Sequence, residues 1–329
     1  MKLASLLVLL ISIQHTEASP LFEESSGQPL VVVIKTDLHK IRNERSDYHT
    51  SSNNYLDGSF QLGATMFDIK LQTRGHNRLA RCQFPPLRVH FDKSEIKNSL
   101  LKHNHNLKVV THCEEEELDH LFREYLVYKL YNSITPYSFQ VRLLRIQYFD
   151  IDQEQDAIET YAFLIESTNS VEKRLNLDEL ESDQDFNMKT YAGISEDWIN
   201  ISQLKLQDAF QHLIRNNDWV IFYTQPTSTL SSANIKFFHN EREGFPFPYD
   251  FDLAGIVTWN TEDYQYRYGN EDLCENVEMI EALTRIMNHK DGYFQLLEQD
   301  SLLGEAYKRD LASYLDKIES VDSFCSEIN

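Results

Sequence analysis

Apolar and polar positions change period along this chain, and the changes mark its elements. Leu30-Val31-Val32-Val33-Ile34 is a continuous apolar run of strand length. Met66 to Arg74 and Leu87 to Phe91 alternate residue by residue, and Leu107 to Val110 is a fourth short apolar segment, all readings of β-strand. Between the first two, Asn43 to Gly58 is polar and is expected to be loop, so the first third is mainly β. The period then lengthens. Leu118, Leu121, Phe122, Tyr125, Leu126 and Leu130 recur at helical spacing, behind an acidic run from Glu114 that suits a helix N-terminus, until Thr135-Pro136 stops them. Phe139 to Phe149 and Thr160 to Glu166 follow as a pair of long strands. From about Leu204 the pattern turns mostly helical, and the tail, Asn276 to Ile318, is expected to be helical too, carrying Val277, Ile280, Leu283, Ile286 and Met287 on one face. The order predicts an α+β chain with a β-rich half carrying one inserted helix over residues 19–167 and a mainly helical half over 168–329.

Composition narrows the setting. The chain has 329 residues, 41% apolar and 12% aromatic, enough for a sizeable core. Met1-Lys2, the apolar run Leu3 to Ile13 and Thr16-Glu17-Ala18 read as a signal peptide cleaved after Ala18, so the expected location is exported, periplasmic or extracellular. That run is too short to span a bilayer, and no other segment reaches the ~20 apolar residues needed, so no stable membrane insertion is expected. Export makes disulfides the expected state of the four cysteines. Local pairing, Cys82 with Cys113 and Cys274 with Cys325, is favoured over buried free thiols, and the absence of Cys-x-x-Cys argues against structural zinc. The net charge of −21 repels nucleic acid, which is not an expected partner. Most of these carboxylates are read as solvated surface.

A few charged residues depart from that reading. Asn217-Asp218-Trp219, then Ala233-Asn234-Ile235-Lys236, then Pro248-Tyr249-Asp250-Phe251-Asp252 give an Asp, an Asn and further Asp residues within apolar surroundings. Metal-assisted phosphoryl transfer asks for that order, one carboxylate to orient the attacking hydroxyl and an Asn with a second Asp to hold metal on the nucleotide phosphates. A strand lysine reaching the phosphates and a glutamate on the next helix are also needed, and Lys108 and Glu124 fit in type and order. The bland alternatives are a helix-end cap for Asp218, turn carboxylates after Pro248 for Asp250 and Asp252, and an edge-strand lysine for Lys108. His103, His105, His112 and His120 match no established metal-ligand spacing.

Together with Leu107 to Cys113, Arg123 to Asn132 and Phe163 to Glu166, these blocks resemble the CotH-type atypical kinases related to spore coat protein H, and more closely a group of their exported bacterial relatives. The resemblance spans roughly Val31 to Val257. It implies a two-lobed, atypical protein-kinase-like fold that uses ATP with Mg2+ or Mn2+ to phosphorylate hydroxyls of a protein substrate. Carried over position by position, it makes Asp218, Lys108 and Glu124 catalytic, with Asn234 and Asp250 holding metal; Asp252 is a substitute or additional ligand, since magnesium takes carboxylate oxygens readily. It also places Glu166 where the chain passes between lobes beside the nucleotide, and makes Arg74, in an Arg-Gly turn, either a phosphate contact or a surface arginine. Cys82 and Cys113 fall beside the matched blocks, which strengthens their pairing. A fold of this kind is also compatible with loss of chemistry, leaving a secreted binding or envelope-assembly protein. Transfer of a nucleotidyl group would use the same metal logic.

Overall fold

Alternation in the first half serves two cores at once, one inside a barrel and one outside it. A computed structural model describes residues 19–23, 28–43, 55–75, 77–113, 118–152, 157–185, 188–224, 229–259 and 276–327. It closes seven strands, β1 (Leu30–Thr36), β2 (Leu56–Leu62), β3 (Thr65–Thr73), β4 (Leu87–Phe91), β5 (Asn106–Thr111), β6 (Val141–Asp150) and β7 (Ile158–Ile165), in the order β1-β2-β3-β4-β5-β7-β6. β1 meets β6 in parallel to seal the barrel. Closure leaves no strand edge open to pair with another chain. Val32, Ile34, Phe60, Leu71, Val89, Leu107, Leu144 and Leu164 fill the interior with no exposed surface. At Gly58 a Cβ would lie 2.6 Å from the Lys35 carbonyl, so only glycine lets β2 approach β1 there.

The intervening strands hold two short helices, α1 (Leu38–Asn43) and α2 (Asn77–Arg81). The polar stretch expected to be loop up to Gly58 in fact enters β2 at Leu56, and residues 44–54 lie outside the described ones. α3 (Leu118–Ile134) is buried nearly all round and ends at Thr135-Pro136 as the sequence predicts. A helix so apolar must be covered on every side. It is: α3 packs in a second core with the outward residues Val110, Phe163 and Ile165 of the barrel and with the helices of the second half.

The second half corrects the expectation of a mainly helical region. Beside α4 (Thr168–Leu175) and α5 (Ile201–Leu213) it holds seven short strands, β8 (Asp178–Glu179), β9 (Asp183–Asp185), β10 (Met188–Ala192), β11 (Val220–Thr224), β12 (Thr229–Ala233), β13 (Ile235–His239) and β14 (Gly244–Pro248). These form two small sheets, ordered β11-β12-β10-β9 and β14-β13-β8. The strands are short, β12 is largely polar, and all five residues of β14 are buried, so no clean two-residue period is written in the sequence. The helices α6 (Gly255–Thr258), α7 (Val277–Asn288), α8 (Lys290–Gln299), α9 (Glu305–Lys317) and α10 (Val321–Glu327) complete the chain. In α7 the buried face is Met279, Ala282, Leu283 and Ile286, whereas Val277 is 64% exposed, so the expected face is rotated. Asn276 fixes that start by accepting from the Met279 amide.

Cys82, one residue past α2, is bonded to Cys113, two residues past β5. Cys325 on α10 is also disulfide-bonded; its expected partner Cys274, like the expected signal segment 1–18, lies outside the described residues. Among the described residues no helix is long and apolar enough to cross a membrane.

Candidate functional site

Strand alternation sets the first wall. On β5, Leu107 and Val109 point into the barrel, so Lys108 and Val110 point out, toward the second core. Arg88 of β4 lies directly across from Lys108, and Arg74 follows the end of β3, where Gly75 at φ +91 turns the chain into α2. The Lys108 ammonium sits 5.1 Å from the centre of the Tyr249 ring. Burial pushes it well below the usual lysine range, and Arg74, Lys236 and Arg88 push the same way against the pull of Asp250. Burial, then Arg74, likewise lowers Arg88.

The second wall comes from the Asp250-Phe251-Asp252 segment after β14. Phe251 is fully buried, 4.8 Å ring to ring from Tyr128 of α3 and 6.1 Å from Phe210 of α5. This anchor turns the flanking aspartates out of the core. Asp250 has φ +64, a left-handed conformation that aspartate tolerates better than most residues, and its amide donates to the Tyr128 hydroxyl at 2.9 Å. Burial raises its carboxyl above the ordinary value; Asp252 adds to the rise, and Arg78, Arg74 and Lys108 oppose it.

Asn234 joins these aspartates to Asp218. It sits at the start of β13 with φ +55, and its carbonyl accepts from the Tyr249 amide at 3.0 Å, one residue before Asp250. Its Nδ2 donates to the Asp218 carbonyl at 2.6 Å and to Asp218 Oδ2 at 2.8 Å. The amide oxygen is thereby turned away from Asp218. Bonds of Asn234 thus link Asp218 to the segment that carries Asp250.

Two expected roles change. Glu124 does not pair with Lys108: its Oε2 accepts from Arg78 Nη2 at 2.6 Å, and Arg78 Nε donates to Asp252 Oδ2 at 2.9 Å. Arg78 rises from α2 between the two acids, whereas Lys108 is directed to Tyr249. Burial works against the Arg78 charge, but Glu124, Asp252 and Asp250 outweigh it and hold the guanidinium firmly protonated. Burial, with Asp252 and Asp250 nearby, raises the Glu124 carboxyl to about 7 despite the Arg78 bond. Glu166 has no free side-chain oxygen to offer a nucleotide. Its carboxylate is 2% exposed and accepts from Arg174 Nε and Nη2 at 3.1 and 2.8 Å, from Ser170 Oγ at 2.8 Å and from the Gln140 amide at 3.1 Å. It ties the end of β7 to α4 and to the turn before β6. Arg78 left no local signal, since it is 46 and 174 residues from its partners.

Among the described residues no group of three or more His, Cys, Asp or Glu is placed to hold a metal. The oxygen donors are Asp250, Asn234 Oδ1 and the Asp252 oxygen not taken by Arg78. Carboxylate and amide oxygens are the donor types that suit a hard cation such as Mg2+ or Mn2+, so in donor chemistry these residues fit one.

Beyond Lys108 the cationic wall continues through Lys236, which pairs with Glu179, to Lys189 on β10. Burial and the neighbouring Lys236 lower Lys189 to about 8 from the ordinary 10.5. Its charge therefore costs folding energy in full below about pH 8, and the cost fades as pH rises to 10.5. Lys189→Met is expected to raise the neutral-pH stability by on the order of 1 kcal/mol, read by thermal melting. The gain should vanish near pH 10.5; an equal gain at every pH would contradict the electrostatic account.

No family model matches the chain, and no curated protein does. Among solved structures it is similar to the Helicobacter pylori proinflammatory kinase CtkA, at 11% identity and TM-score 0.38 over 87% of this chain and 95% of that one. It is also similar to the Shewanella oneidensis HipA–HipB toxin–antitoxin complex with operator DNA, at 10% identity and TM-score 0.40 over 89% of this chain and 74% of that one. Likenesses this loose leave the site to be judged on its own geometry.

Proposed function

We propose that this chain is an ATP- and metal-dependent phosphotransferase acting on protein hydroxyls, exported to an oxidising compartment. One observation carries the reading. Lys108 and Asp250 lie within electrostatic reach of each other, and among the described residues neither side chain makes an ion pair or hydrogen bond. In a chain of net charge −21, a half-buried lysine grouped with Arg74, Arg88 and Lys236 is a costly arrangement. Phosphate oxygens between Lys108 and a cation held by Asp250 would satisfy both.

The roles follow from position. Lys108, with Arg74 and Arg88, would hold the phosphates, while Asp250 and Asn234 would hold Mg2+ or Mn2+ with Asp252 in support. A bound divalent ion would neutralise charge on the phosphates. Asp218, its carboxylate fixed by Asn234, would accept the proton of the attacking hydroxyl. Arg78 and Glu124 act one step back, since Arg78 orients Asp252. In this reading residues 19–167 and 168–329 form the two lobes, with the nucleotide between them. The Cys82–Cys113 disulfide supports export, because such bonds persist outside the reducing cytosol.

Calorimetry with ATP and Mg2+ or Mn2+ on the oxidised protein tests the site. Metal-dependent binding is expected, lost in Asp250→Ala and weakened at least ~100-fold in Lys108→Met. Asp218→Ala should bind normally and fail to transfer. Binding without turnover in the parent chain would point instead to an inactive, partner-binding protein. No binding with either metal, or equal binding by Asp250→Ala, would overturn the site.

A further inference from the structure

Asp218 lies between α5 and β11, outside regular structure, yet both its backbone and its carboxylate are held. The hold begins in the core. Gln211 in the last turn of α5 has no exposed surface, and its Oε1 accepts from Asn216 Nδ2 at 2.9 Å. Its carbonyl accepts from the Asn216 amide, also at 2.9 Å. Arg215, at φ +52, provides the reversal that brings Asn216 back onto the helix. Asn216, 1% exposed, then accepts from the Asp218 amide through Oδ1 at 2.9 Å, closing a turn about Asn217. On the far side Asn234 grips Asp218, and the next residue, Trp219, is 2% exposed and anchors the strand entry.

Two buried amides are a poor way to fill a core, because each must be desolvated and satisfied. What the pair supplies, and an apolar pair could not, is one acceptor at a fixed place for the Asp218 amide. We propose that Asn216, oriented by Gln211, is a positioning residue that sets the direction of the Asp218 carboxylate. The catalytic consequence rests on the phosphotransferase reading; the geometric claim does not.

Asn216→Ala is expected to raise hydrogen exchange of the Asp218 amide by more than ~10-fold while amides within β11 keep their protection. ADP release from Mg-ATP, with the protein's own hydroxyls or water as acceptor, should fall ~30-fold in kcat with KM for ATP unchanged within about twofold. Asn216→Ser retains an uncharged acceptor oxygen for the amide two residues on, and its hydroxyl can donate to Gln211 Oε1. That variant should therefore restore both readouts to within about threefold of the parent. Gln211→Leu, which leaves Asn216 in place without its guide, should fall between. Unchanged exchange at Asp218 in Asn216→Ala overturns the proposal, and so does a parallel loss of kcat, ATP affinity and melting temperature in Asn216→Ala and Asn216→Ser alike. If the parent chain releases no ADP, the phosphotransferase reading fails, and the exchange measurement still decides whether Asn216 positions Asp218.

Discussion

Arg78→Met should destabilise the protein by about 3–5 kcal/mol near pH 8, the cost of leaving buried carboxylates without their counter-ion. Glu124 is 1% exposed and Asp252 17%, and the single guanidinium serves both while Asp250 adds negative charge beside it. The loss should depend on pH in a defined direction. In the parent chain the Glu124 carboxyl titrates near 7 when folded against an ordinary 4.5, so the folded state holds the extra proton and stability falls as pH rises between those values. Without Arg78 the folded value climbs further, and the penalty grows toward higher pH. Urea unfolding of Arg78→Met should therefore show a smaller deficit at pH 5 than at pH 8. Adding Glu124→Gln should recover a large part of it, because the uncharged amide no longer needs a partner. A deficit below 1 kcal/mol at pH 8, or one indifferent to Glu124→Gln, would show that Arg78 is not the clamp.

Removing the Cys82–Cys113 bond has the next largest expected effect. The bond closes a 31-residue separation, and releasing it should cost about 3–4 kcal/mol from unfolded-chain entropy. It also fixes α2, which carries Arg78, against the end of β5, which carries Lys108. Backbone bonds from Gln83 and Phe84 to the Cys113 carbonyl, at 3.1 and 3.3 Å, give some support without it. The Cys82→Ala/Cys113→Ala variant should thus fold under mild conditions with a lowered urea midpoint and weakened Mg-ATP binding. The paired substitution leaves the Cys325 disulfide in place, which treatment of the parent with reductant would not. Parent-like midpoint and affinity in the variant would mean that the bond contributes little to either wall.

Sequence pattern revealed the elements whose two faces differ. β3 and β4 alternate because one face fills the barrel, and α3 ends where Thr135-Pro136 requires. β14 was hidden because both faces are buried, and α7 was set on the wrong face because Val277 is apolar without being covered. The same division holds at the site. Asp218, Asn234 and Asp250 stand out in the sequence because each lies in a short motif at an element boundary, and bonds of Asn234 join those three boundaries in the fold. The partner of Glu124 was not. Order along the chain suggested Lys108 from the preceding strand, but the side chain that reaches Glu124 comes from a separate five-residue helix. Charge complementarity states that a buried acid needs a base; it does not say which.

The carboxylate of Glu166 bears on how the site would receive its ligand. Every direction in which it could accept a bond is taken by Arg174, Ser170 or the Gln140 amide, so the passage from β7 to α4 is cross-braced rather than hinged. Ile165, the residue before Glu166, pairs with Lys108, so in the proposed reading a brace of that kind holds the lysine side of the site in place before a nucleotide enters. Little of the nucleotide's binding energy would then be spent on ordering that side of the site.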